Sequence, residues 1–382
     1  MSTVLSLSPS PSAQADAARG SAHYLGLDGL RGIAAGAVML LHVVGFYAPG
    51  RLTGISAAMA VDLFFMLSGF VLAHAYGAKL DAGMSWTTYL KIRLIRLYPM
   101  IFIGVMIGAT LVVGKLSLRS EPLDPGVGPI DFLCSLALIP IGLIYPLWHY
   151  YLGGPVSFMF DRPMWSLFFE IVASAAFGVA VIRNPPKGIF FATFALAAAL
   201  LSFWAMMAGT MTILGIGGPL TFVGGFLRVG VPFTLGVMLY RRGWAAQAPQ
   251  ISMWLLAIFL AGLLLAPVPA SLHLTYEFAL AFGVFPIVIL LGARVSLTDL
   301  QARFCSILGM LSYPIYLLHD PIGRLVGFIV KQRFPQPEVL IVASLIGTVL
   351  ASWLILRWID EPVRRALRKR LIVKIVLETH AS

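Results

Sequence analysis

The chain has 382 residues, of which 59% are hydrophobic and only 11% charged, and its mean hydropathy is +0.91. A soluble domain carries roughly 25% charged residues, so a soluble enzyme, a secreted disulfide scaffold and a disordered chain are all excluded. The net charge of +11 would point to nucleic acid in a soluble protein, but here the basic residues sit at the ends of apolar runs, where they set topology.

Residues 1–22 are rich in Ser, Ala, Pro and Gln and hold no apolar stretch. They are read as a disordered cytoplasmic leader and not as a signal peptide. After them come about ten apolar runs, each long enough to cross a hydrocarbon core of about 30 Å as a helix. The runs lie at 28–48, 59–77, 96–114, 164–182, 189–208, 219–240, 252–267, 273–293, 305–328 and 339–358. With the N-terminus inside, the inner connections collect Lys79, Lys91, Arg93, Arg96, Arg183, Lys187, Arg241, Arg242, Arg294 and Arg303, and the chain ends in a basic stretch from Arg364 to Lys374. Fewer cations fall on the other side, which places both termini in the cytoplasm.

The segment 130–147 is apolar but contains Pro140, Gly142 and Pro146. If it crossed, Arg183 and Lys187 would move outside. It is assigned as a re-entrant or interfacial piece of an outer loop from about 115 to 163, where irregular backbone needs protein or water as a partner. The expected fold is therefore an all-α polytopic membrane protein of about ten helices, with a transmembrane domain at 23–362 and a basic cytoplasmic tail at 363–382. Cys134 and Cys305 lie far apart and neither has metal-ligand spacing, so neither a disulfide framework nor a metal is expected.

A titratable side chain inside an apolar span is costly and marks a functional site by default. Arg31 and His42 lie eleven residues apart in the first run, about 16 Å of helical rise and nearly the same azimuth. Asp62 begins the second run, Glu170 lies within the fourth with Ser166 one turn before it, and His319-Asp320 falls in the ninth. These depths suit a base and an orienting carboxylate, and equally a set of ion pairs that fix helix packing. Arg93 and Arg96, at i and i+3, present guanidinium forks suited to phosphate; as topology anchors they would need no further role. Arg228, deep in the sixth run, has no obvious partner and is a candidate to pair with Glu277 or an anion.

Five ordered blocks carry a resemblance. They are Leu27-Asp28-Gly29-Leu30-Arg31-Gly32 leading to His42, Val61-Asp62-Leu63-Phe64-Phe65-Met66-Leu67-Ser68-Gly69-Phe70, Arg93-Leu94-Ile95-Arg96, Trp165-Ser166-Leu167-Phe168-Phe169-Glu170, and Ser312-Tyr313-Pro314-Ile315-Tyr316-Leu317-Leu318-His319. Together they resemble the membrane-bound acyltransferase family 3, over nearly the whole chain. The resemblance implies transfer of an acyl group, usually acetyl, from acyl-CoA to a hydroxyl of a glycan, lipid-linked sugar or small metabolite. It implies His42, Asp62 and Glu170 as catalytic residues, and Arg31, Arg93 and Arg96 as the residues that hold the CoA donor. Ser68, Trp165, Ser166, Tyr313 and His319 are the substrate-binding candidates. His42 is then a general base on the acceptor hydroxyl, oriented by Asp62 or Glu170, or alternatively the carrier of an acyl-histidine relay. The compartment implied is the inner membrane of a bacterium, and the expected partners are acyl-CoA, a hydroxyl acceptor and the lipid bilayer, without nucleic acid. A rival reading is a proton-coupled transporter or flippase, with the His and carboxylate groups as a proton relay.

Overall fold

A computed structural model of the protein describes residues 23–118, 128–140, 158, 160–216 and 219–380. The expected leader at 1–22 lies outside these, as does the second half of the 130–147 segment. Most of the described residues are helical, and no strand is named among them. In chain order the helices are α1 (Leu25–Tyr47), α2 (Ala60–Asp81), α3 (Trp86–Leu118), α4 (Pro129–Leu136), α5 (Met164–Arg183), α6 (Lys187–Ala208), α7 (Pro219–Arg241) and α8 (Met253–Leu265). They continue as α9 (His273–Phe278), α10 (Phe285–Arg294), α11 (Asp299–Lys331), α12 (Pro337–Ile355) and α13 (Glu361–His380). A π turn at Ala279–Val284 joins α9 to α10, and another at Leu356–Asp360 joins α12 to α13.

Among the described residues eight helices are long and apolar enough to cross a membrane. This makes the chain a multi-pass membrane protein. Two of the runs expected from the sequence are not among the eight. The run at 252–267 is the 13-residue α8, which is too short. The run at 305–328 lies in α11, which has 33 residues but buries Ser312, His319 and Asp320 and is too polar along its length to qualify. The expected outer-loop segment begins as the short α4, and the expected basic tail is helical from Glu361 to His380.

The pairing of α1 with α11 positions the site. Small residues in α1 let the second helix approach to backbone distance: a methyl group at Gly29 would lie 2.6 Å from Cys305 Sγ, and one at Gly32 would lie 2.4 Å from Leu308 Cβ. Close packing through small residues is the usual way for helices to associate in lipid, where burial of apolar surface supplies no driving force. The contacts then advance together along both chains, from Gly29 and Cys305 to His42 and His319 and on to Tyr47 and Gly323. The two helices therefore run parallel. A capping box between Thr298 and Gln301 fixes the start of α11.

Candidate active site

Towards the end of α1, His42 Nδ1 lies 2.7 Å from Nε2 of His319 on α11, with the two ring planes within 10° of each other and 4.9 Å between centroids. His319 is fully buried, and its Nδ1 lies 3.2 Å from the Ile315 carbonyl oxygen. A carbonyl only accepts, so Nδ1 of His319 carries a proton and the Nε2 of the neutral ring accepts from His42 Nδ1–H. The network leaves the Nε2 lone pair of His42 as the available base. His42 itself is exposed, on the far side of the pair from the buried His319.

Behind His319 stands Asp320, whose Oδ2 accepts from Arg324 and, at 3.5 Å, from the Arg162 backbone N–H. Asp161 is fully buried beside this group, and neither of its carboxylate oxygens has a hydrogen-bond partner. Burial and the neighbouring Asp320 push its carboxyl well above the usual range, with Arg324 opposing them.

A separate cavity of about 80 Å³ opens between α1, α2, α3, α5 and α11. Arg31, Arg93 and Arg96 line it, together with Ser68, Glu170 and Tyr313. Glu170 Oε1 accepts from Ser68 Oγ and from Arg93 Nη2, both at 2.9 Å. Arg31 pairs with Asp28 one turn before it, at 2.9 Å. Tyr313 donates to the Leu97 carbonyl at 2.7 Å. Ser166 and Tyr316 also line the cavity, and their hydroxyl groups lie 2.7 Å apart. Tyr316 in turn packs at 6.1 Å from the His319 ring. The cation-lined cavity and the histidine pair thus lie on either side of Tyr316, carried on the same helices.

Asp62 departs from expectation. It is fully buried, and both its oxygens accept from Arg228, at 3.1 Å from Nε and 2.8 Å from Nη2. The remaining Arg228 donors reach the carbonyls of Thr212 and Leu214. The expected contact of Asp62 with His42 is not formed; the carboxylate faces Arg228 instead. Nor does Arg228 meet Glu277, which accepts from Thr210 and the Met211 N–H instead. Glu170 faces Arg93 and not the imidazole, and Trp165 stacks on Arg228 at 5.3 Å and lies outside the cavity lining. The titratable groups that share a layer by depth fall into three separate networks. His319 was singled out for substrate contact, whereas its ring holds His42. Tyr316 was not singled out at all; its only signal was its place three residues before His319 in the last motif block.

The family model described as an acyltransferase domain, acyltransferase 3, matches residues 24–357. The chain belongs to this family. It is also similar to a Rhizobium radiobacter protein called protein 2 in the picA locus, with 37% identity over 160 residues, which is 40% of this chain and 78% of that protein. No solved structure matches. The chain is thus a membrane-embedded acyltransferase, and both the histidine pair and the cation-lined cavity lie within the matched region. Among the described residues no group of three or more His, Cys, Asp or Glu side chains is placed to hold a metal ion.

Proposed function

We propose that the protein moves an acyl group, acetyl in the simplest case, from acyl-CoA to a hydroxyl of a glycan or other acceptor, with His42 as general base, in the inner membrane of a bacterium. The observation that carries this reading is the placement of three arginines in one cavity, separated by Tyr316 from an exposed histidine whose free nitrogen is Nε2. Arg31, Arg93 and Arg96 provide the positive field and donor forks that CoA phosphates require. The Arg31 to His42 rise of about 16 Å along α1 is of the order of a pantetheine arm.

In the reaction His42 Nε2 accepts the proton of the acceptor hydroxyl as its oxygen attacks the thioester carbonyl. The C–S bond then breaks and the thiolate takes up the proton, so free CoA and the ester leave. His319 accepts from His42 Nδ1–H throughout and so holds the ring in the reactive tautomer. Glu170 holds Arg93 in place, a positioning role. Asp62, engaged by Arg228, acts through helix packing.

The test is release of free CoA from acetyl-CoA by the purified chain in lipid, with an envelope extract as acceptor source. His42→Ala is expected to lower the rate by about 10²–10⁴-fold with CoA affinity retained. Undiminished release would reject His42 as the base. Solute transport by wild type without thioester consumption would support the transporter reading.

A further inference from the structure

A second cavity, of about 570 Å³, lies between α5, α6 and α7, where α5 finishes and α6 starts. Small residues make room for it. Ala173, Ala176 and Ala180 fall on one face of α5, and a methyl group added to Gly230 of α7 would meet nothing within 4 Å. The first turns of α6 bound the remaining side. That helix packs on α7 but buries only Leu201 and Ala205, both in its second half.

The walls of the cavity are largely apolar, yet three exposed cations border it, Lys187, Arg241 and Arg242, and no acidic residue is among its lining. None of the three pairs with a carboxylate among the described residues. The Arg242 guanidinium lies over the Phe191 ring, 5.7 Å from its centroid, which holds it beside the cavity. Arg241, in the last turn of α7, offsets the helix dipole. Lys187 does not, because it opens α6, where the dipole repels a cation. Cations that serve topology alone can stand anywhere on an inner connection, whereas these three, from two connections, border one apolar gap.

We propose that this cavity binds an anionic phospholipid, with an acyl chain in the gap between α5 and α6 and the headgroup phosphate against Lys187, Arg241 and Arg242. Charge and shape together argue for this occupant. A free phosphate would meet the cations and leave the apolar walls without a partner, and a neutral lipid would fill the walls and leave the cations uncompensated. Basic pockets between membrane-spanning helices suit anionic headgroups for this reason. The assignment does not depend on the acyl-transfer reading.

The test is native mass spectrometry of the full chain in a non-ionic detergent, titrated with dioleoyl phosphatidylglycerol or dioleoyl phosphatidylcholine. The first phosphatidylglycerol is expected to bind about tenfold or more tightly than the first phosphatidylcholine. Lys187→Gln/Arg241→Gln is expected to abolish that preference while thermal unfolding of the lipid-free chain stays unchanged; Arg241→Gln alone serves if the double variant does not fold. Gly230→Leu, whose side chain enters the empty gap, is expected to weaken the first phosphatidylglycerol by a similar factor. Equal affinity of wild type for the two lipids, or a preference that the charge variants leave intact, overturns the proposal. Wild-type affinity in Gly230→Leu overturns it too, since the lipid would then lie on the surface cations with no chain in the cavity. Displacement of the lipid by free CoA would assign the cations to the donor phosphates and likewise overturn it.

Discussion

Asp62 and Arg228 show how a buried charged pair and a catalytic pair differ in structure. Both members are buried to within 1% of full coverage, bonded through two N–H···O contacts, with the spare guanidinium donors on backbone carbonyls. Both carboxylate oxygens and all three guanidinium nitrogens are thus engaged inside the protein. Breaking such a pair strands a charge in a dry interior, at a cost of about 3–5 kcal/mol, whereas replacing both partners by apolar side chains is often neutral. Asp62→Asn is therefore expected to lower the thermal transition of the purified protein sharply, and Asp62→Leu/Arg228→Met to recover most of the loss. A double variant that is folded and still releases CoA would confirm the packing role. One that is folded but silent would return Asp62 to the reaction. The histidine pair is the opposite case, with one ring nitrogen of His42 outside the internal network.

At the level of helices, the motif blocks combine two kinds of residue. Some line the cavity, such as Ser68 and Arg96, while others let helices approach. Gly69 of α2 lies against the backbone of α7, where an added methyl group would come within 1.9 Å of the Phe233 carbonyl oxygen. Backbone atoms cannot turn aside as a side chain can, so Gly69→Ala has to push α7 away from α2. Its cost is about 1–3 kcal/mol or more, with Ser68 and its bond to Glu170 displaced alongside. In α1, Gly36 has nothing within 4 Å of the same methyl position, and Gly36→Ala is expected to be neutral or to stabilise by up to about 1 kcal/mol. Thermal unfolding of the two variants beside wild type checks both. Equal melting temperatures would show that α2 and α7 do not pack as described.

Across the whole molecule, the arginines of the cavity stand nearer one end of the bundle and the histidine pair nearer the other. Arg31 and Arg93 stand near the starts of α1 and α3, while His42 and Lys115 lie towards their ends. The C-terminal helix α13 packs on α3 after α12 has run back from the His42 end. In sealed proteoliposomes, acyl-CoA is expected to support CoA release only from the face on which a C-terminal tag is open to protease. Release from either face alike would refute separate entry routes. The sequence by itself determined the class of the molecule: twenty-residue apolar runs leave a helical membrane protein as the physical solution. It also determined which runs hold charge and imidazole at membrane depth, where such groups persist only if something holds them. Their partners were decided by the tertiary structure alone. Helical rise gives the depth of each group, but not the azimuth or the neighbouring helix, so Asp62 and His42 share a layer without touching. The α1–α11 contact, set by how closely two backbones can approach at Gly29 and Gly32, brings His319 to His42 across 277 residues of chain.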